Sequence, residues 1–140
     1  MEKHLIGEIF LKTKHFVIKQ DSEVPIPGFF IVTSKRKIHS FADFKDDEKK
    51  EFIDILCKLR KGMRSVLKIK DVYFFQNEDS EWGFHLWVFP RYRWMEKFGR
   101  KIQSVRPIME HAKKNMTTEK DIQKVHDTSE KMRKYMSLRN

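Results

Sequence analysis

The run Phe29-Phe30-Ile31-Val32-Thr33 has almost no polar position. Such a run cannot present one wet and one dry face, so it predicts a strand buried on both sides at the centre of a sheet. Val24-Pro25-Ile26-Pro27-Gly28 precedes it. Proline removes a backbone donor and fixes φ, and glycine permits a sharp turn, so this segment is a loop between strands. Upstream, Gly7 to Leu11 and His15 to Gln20 are rich in β-branched and aromatic residues. Three strands are expected, at about 8–11, 14–20 and 28–34.

A helix is expected over about 46–68. Phe52, Ile55, Leu56, Leu59, Met63, Val66 and Leu67 recur at steps of three and four, which makes one apolar face. Asp43 is placed to cap it, and Asp46-Asp47-Glu48 suit its positive N-terminal dipole. A fourth strand at 72–76, a polar loop at Asn77-Glu78-Asp79-Ser80-Glu81 and a fifth strand at 83–89, ended by Pro90, follow. The tail reads as two helices. One spans about 94–115, interrupted or capped near Gly99 and Pro107, and one starts at Thr117-Thr118, where Thr118 and Asp121 fit a capping box. Strands joined by short turns pair antiparallel, so the order predicts an α+β domain.

The 140 residues, 39% apolar, suffice for one domain with its own core. A single cysteine, Cys57, forbids an internal disulfide and fits a reducing, cytoplasmic setting. The start, Met-Glu-Lys-His, does not read as a signal peptide, and no run approaches the ~20 apolar residues of a membrane span. Charge is uneven. Residues 1–90 hold 16 Lys/Arg against 14 Asp/Glu, and residues 91–140 hold 14 against 6. A basic tail suits a phosphate-bearing partner, including RNA, and equally suits a solvated helical surface.

The succession Asp21…Pro27-Gly28-Phe29-Phe30-Ile31-Val32…Lys35-Arg36, a long amphipathic helix, then a strand His85-x-Trp87-x-Phe89-Pro90-Arg91 resembles the histidine-triad (HIT) superfamily. The likeness covers about residues 7–92. The tail resembles the C-terminal helices of a bacterial diadenosine-tetraphosphate-hydrolase-like subgroup. The resemblance implies an antiparallel sheet of about five strands with one crossover helix and C-terminal helices. Residues 1–92 would then be a nucleotide-binding core and 93–140 a basic helical extension packed on it, one domain overall. It also implies a homodimer and a nucleotide or dinucleoside polyphosphate ligand.

The family's last strand carries His-x-His-x-His. Alignment on Pro90-Arg91 needs no gap and puts His85 at the centre, with Gly83 and Trp87 at the outer positions, a degenerate Gly-x-His-x-Trp triad. The other register puts His85 first and leaves the centre to Trp87. In the first register the resemblance makes His85 the nucleophile of a phosphoanhydride hydrolase or nucleotidyl transferase that works through a nucleotidyl-histidine. Gly83 offers only backbone and Trp87 one indole N–H, so a catalytically weak or inactive nucleotide- or RNA-binding protein is the alternative. Trp87 is as well explained by core packing.

The resemblance further places Asp21 on the ribose hydroxyls, Gln76 and Asn77 against phosphate, Ser80 among the loop donors and Arg91 beside the active strand. Asp21 serves equally as a turn residue, and Gln76, Asn77 and Ser80 as hairpin-loop residues. Ile9, Phe10 and Ile18 suit the core better than a base pocket. Lys37, not His39, falls where many members carry an upstream histidine. His4, His15, His111 and His126 belong to no constellation, and no Cys/His spacing points to a metal or other cofactor. Arg91, Arg93, Lys97, Arg100, Lys101 and Arg106 form a basic cluster that would draw a polyphosphate toward His85.

Overall fold

The computed structural model describes residues 7–138, so His4 and the chain start lie outside the described residues. Five strands form one antiparallel sheet: β1 (Ile9–Lys12), β2 (Phe16–Gln20), β3 (Phe30–Ser34), β4 (Val72–Phe75) and β5 (His85–Pro90). Their order is β1-β2-β3-β5-β4, which places the apolar run at the centre as expected. Among the described residues three α-helices accompany the sheet: α1 (Asp46–Ser65), α2 (Val105–Asn115) and α3 (Glu119–Met136). None is long and apolar enough to cross a membrane among the described residues.

Each face of the sheet has its own core. On one face Phe16, Ile18, Phe30, Val32, Phe84 and Val88 meet Leu59 and Met63 of α1 and Met132 and Met136 of α3. On the other, Phe29 and Phe89 meet Met95 and α2 through Val105, Ile108 and Ala112. The tail therefore supplies part of both cores. At Gly62 the ring of Tyr135 on α3 comes so close that an added Cβ would lie 2.5 Å from it. Phe10 and Ile18 are buried at 4% and 0% exposure, in keeping with a core role, while Ile9 is exposed.

One local expectation is corrected, the cap of α1. Asp43 does not cap α1. It ends a short 3-10 turn, Phe41–Asp43, whose own cap is the Ser40 hydroxyl, 3.0 Å from the Ala42 amide. The cap residue of α1 is Lys45, and Glu48 reaches back to accept from its backbone N–H at 2.7 Å. The first tail segment is interrupted at Gly99, as expected, but its first part is a 3-10 turn and not α-helix. A 3-10 turn, Arg93–Phe98, stops at Gly99, whose φ of 93° only glycine adopts freely, and α2 begins at Val105. Pro107 then sits in the first turn of α2, where the helix does not need its missing N–H. The capping box at Thr118 and Asp121 is present, with the Asp121 amide 3.1 Å from the Thr118 hydroxyl.

Candidate functional site

β5 begins at His85 because Gly83 does not have strand geometry. Its φ is 86°, and a Cβ there would stand 3.2 Å from the Ile38 carbonyl. A side chain at this position meets both a strained backbone and a wall. The Gly83 carbonyl has a second use, for it lies 2.7 Å from Nδ1 of His85. A carbonyl can only accept, so Nδ1 carries the hydrogen and donates. In the neutral ring the lone pair then sits on Nε2.

The ring is held on its other side as well. Residues alternate along a strand, so His85, Trp87 and Phe89 share the face that packs toward α2. The Trp87 indole meets the His85 ring edge-on at 4.3 Å and stacks on Phe75 at 5.4 Å. His85 is buried, at 8% exposure. Trp87 thus contacts and orients the histidine.

Next to Gly83 opens a cleft of about 500 Å³, lined by Ser34, Lys35, Lys37, Glu81, Trp82, Gly83 and Phe84. The Lys37 side chain approaches the place where a Cβ of residue 83 would stand, to 3.6 Å. Trp82 is 77% exposed on the rim. The sequence marks Lys35 and Lys37 only by their place in the family pattern, and Trp82 not at all, since a lone tryptophan in a loop carries no pattern. The loop bearing these lysines is anchored by Arg36. Its guanidinium makes two bonds to Glu48, at 3.0 and 2.8 Å, and a third to the Asp43 carbonyl at 2.8 Å. Those bonds and the Lys45 amide hold the buried Glu48 carboxyl at a pKa of about 2.

Gln76 and Asn77 follow β4 directly. Phe75 pairs with Trp87, so these amides stand level with the start of β5. The Gln76 amide donates to the Asn77 carbonyl at 2.9 Å and to the His39 carbonyl at 3.4 Å, and Asn77 donates to Asp79 at 2.9 Å. Ser80 accepts from the Trp82 amide at 3.3 Å. These side chains organise the loop around the start of β5.

Asp21 and Arg91 lie elsewhere. Gln20 pairs with Phe30 and Phe30 with Val88, so Asp21 is level with Phe89 and two strands away. Four rows of the sheet, about 13 Å along the strands, separate it from His85. One Asp21 oxygen accepts from the Val24 and Glu23 amides at 2.8 and 3.0 Å, closing a turn. Burial pushes its carboxyl up, with those amides opposing. Arg91 follows the far end of β5, about 20 Å along the strand from His85. Its guanidinium donates to Ser104 at 3.2 Å and to the Gly99 carbonyl at 2.6 Å, over the Tyr73 ring. The structure therefore does not bring Arg91 to His85, because a six-residue strand holds them apart.

His15, which fits no sequence pattern, has partners. Its Nδ1 is 2.8 Å from Glu51, and its Nε2 is 3.4 Å from Asp47. This ties the β1–β2 turn to α1. Burial opposes ionisation of Glu51, yet bonds from Thr13 and the His15 amide hold its carboxyl below the usual range.

Solved structures share this architecture. A hypothetical histidine-triad nucleotide-binding protein from Sulfolobus tokodaii aligns at TM-score 0.63 and 12% identity, covering 93% of this chain and 83% of that one. The fold is the histidine-triad fold. A zinc-bound histidine-triad protein from Mycobacterium smegmatis aligns at 0.62 and 12% identity, covering 94% and 84%. A Hit-like protein involved in cell-cycle regulation from Bartonella henselae aligns at 0.60 and 13% identity, covering 92% and 86%. No family model and no curated protein matches the sequence. Zinc is a property of the mycobacterial protein. Among the described residues here, no cluster of three or more His, Cys, Asp or Glu side chains is placed to hold a metal ion.

Proposed function

We propose that this chain is a nucleotide-binding protein of the histidine-triad superfamily that cleaves or transfers a phosphoanhydride through a nucleotidyl-His85 intermediate. Dinucleoside polyphosphates such as diadenosine tetraphosphate are the substrate class. The observation that carries the reading is the 2.7 Å bond from His85 Nδ1 to the Gly83 carbonyl, which leaves Nε2 as the nucleophilic nitrogen. In the first step Nε2 attacks the α-phosphorus, a P–N bond forms, and the anhydride P–O bond breaks with its electrons on the leaving phosphate. In the second, water attacks the same phosphorus and the P–N bond breaks. Nucleoside monophosphate leaves, and the water proton passes to the departing ring.

Gly83 brings no side chain to this chemistry, so the charge on the leaving phosphate needs another partner. We assign that role to Lys37 and Lys35, which line the cleft beside Gly83. The Gln76, Asn77 and Ser80 loop offers polar atoms at the same end of β5. Asp21 and Arg91 take no part, since each is turned to a local structural bond. The reading includes a homodimer, supported by the edge position of β4, whose Phe74 is 46% exposed. A cytoplasmic setting is supported by the exposed free thiol of Cys57.

The positive φ of Gly83 favours a second reading, in which a site lacking its first side chain binds nucleotide without turning it over. Mixing the protein with a labelled dinucleoside polyphosphate separates the two. The first reading predicts a mass increment of one nucleotidyl group on His85, lost in His85→Ala. Saturable binding with no increment and no turnover supports the second.

A further inference from the structure

The far end of β5 carries a second polar cleft that the proposed chemistry does not use. It has a volume of about 490 Å³ and lies between the loop before β4 and the 3-10 turn after β5. Its bases are Lys68, Lys70, Arg91, Arg93 and Arg100, against the acids Asp71 and Glu96. Glu96 is engaged by Arg100 at 3.7 Å. Among the described residues Lys68, Lys70 and Arg93 make no ion pair, and all three are exposed.

The walls are built rather than loose. Lys68 has a φ of 60°, a conformation that costs a non-glycine residue energy unless its surroundings impose it. Here they do. Arg60 donates to the Ile69 and Lys70 carbonyls at 3.2 and 2.5 Å, the Ile69 amide donates to the Met63 carbonyl at 3.0 Å, and the Ile69 side chain is buried. On the opposite wall Arg91 pins Gly99 and Ser104 while lying over the Tyr73 ring at 4.8 Å. Two fixed walls therefore present three free cations to one space.

Ammonium and guanidinium groups in a cleft of this size fit several anionic oxygens close together. We propose that this cleft binds a linear polyphosphate chain of two or three linked phosphates, free or as the terminus of a larger molecule, at a site separate from His85. It stands on its own cations and does not depend on the reading of His85.

The test is calorimetric titration of the full chain with tripolyphosphate at physiological salt. Saturable binding is expected, weakened about tenfold or more by Lys70→Glu and by Arg93→Glu. His85→Ala should leave the affinity within about twofold, as should Lys12→Glu at the opposite sheet edge, with circular dichroism confirming that each variant is folded. Three results would overturn the proposal. They are no saturable binding, equal weakening by Lys12→Glu (which marks general attraction to a basic chain), and loss of binding in His85→Ala. A fourth arm uses an oligoribonucleotide with a 5′-hydroxyl. If that binds while tripolyphosphate does not, the cleft reads a nucleic-acid backbone and the proposal fails.

Discussion

The two ends of β5 share one strand and differ in almost everything else. At the Gly83–His85 end a single imidazole is oriented by a backbone carbonyl and an indole, and the charges come from a loop that α1 anchors through Glu48 and Arg36. At the Pro90–Arg93 end five basic side chains gather, and the most firmly held of them, Arg91, is engaged in architecture. Closeness in sequence to the histidine did not make Arg91 part of its site. A strand rises about 3.3 Å per residue, so six residues suffice to create two separate environments.

The largest expected effect removes the comparison altogether. Truncation after Tyr92 should leave no cooperatively folded sheet, read as loss of the thermal transition. It deletes Met95, Val105, Ile108, Ala112, Met132 and Met136 from the two cores. At roughly 1.5–3 kcal/mol for each large buried side chain, the loss exceeds much of the 5–15 kcal/mol that keeps a domain folded. A folded, truncated sheet would show that the tail is a separate extension.

Gly83→Ala should act at the His85 end. Strain at a φ of 86° and the approach to the Ile38 carbonyl should cost about 1–3 kcal/mol and lower the melting temperature by several degrees. The His85 ring resonances should shift while Tyr73 stays unchanged. Arg91→Ala should do the converse. Loss of two bonds should cost about 1–3 kcal/mol, with faster amide exchange confined to about residues 93–104.

Acid acts on the pair that anchors the lysine-bearing loop. Glu48 has a folded pKa of about 2, below its ordinary value near 4.5. Its stabilisation is complete above the ordinary value and is lost as pH falls from there through about 2. Glu48→Gln should flatten the pH dependence of stability in that window, and the acid-sensitive resonances should lie in the 35–48 segment. A flat wild-type profile would contradict the Arg36 bond.

The sheet was legible because its signals are local. The run Phe29–Thr33 demanded a central strand and the 3-4 spacing from Phe52 to Leu67 demanded α1, and both stand with small shifts of their ends. The corrected cap shows the limit. Asp43, an ordinary cap residue, was displaced by Lys45 because Glu48 reached back to its amide while pairing with Arg36, twelve residues upstream. No local pattern announces such a pair. The candidate site divides in the same way. His85, Gly83, Gln76, Asn77 and Ser80 gather because they flank one hairpin. Asp21 and Arg91 do not join them, since only the sheet register fixes how far each stands from the histidine. Gly83 is the instructive case, for its missing side chain is visible in sequence while its left-handed backbone, which excludes a replacement, is not.

The central claim is that Nε2 of His85 is a nucleophile held ready by the Gly83 carbonyl. Acid-quenched mass spectrometry of the full chain, taken during turnover of a labelled dinucleoside polyphosphate, tests it most directly. The account predicts an acid-labile nucleotidyl group on the peptide containing His85, formed at a rate that matches turnover and lost by roughly 10³-fold or more in His85→Ala. Undiminished turnover in that variant, or a label on another residue, would contradict it.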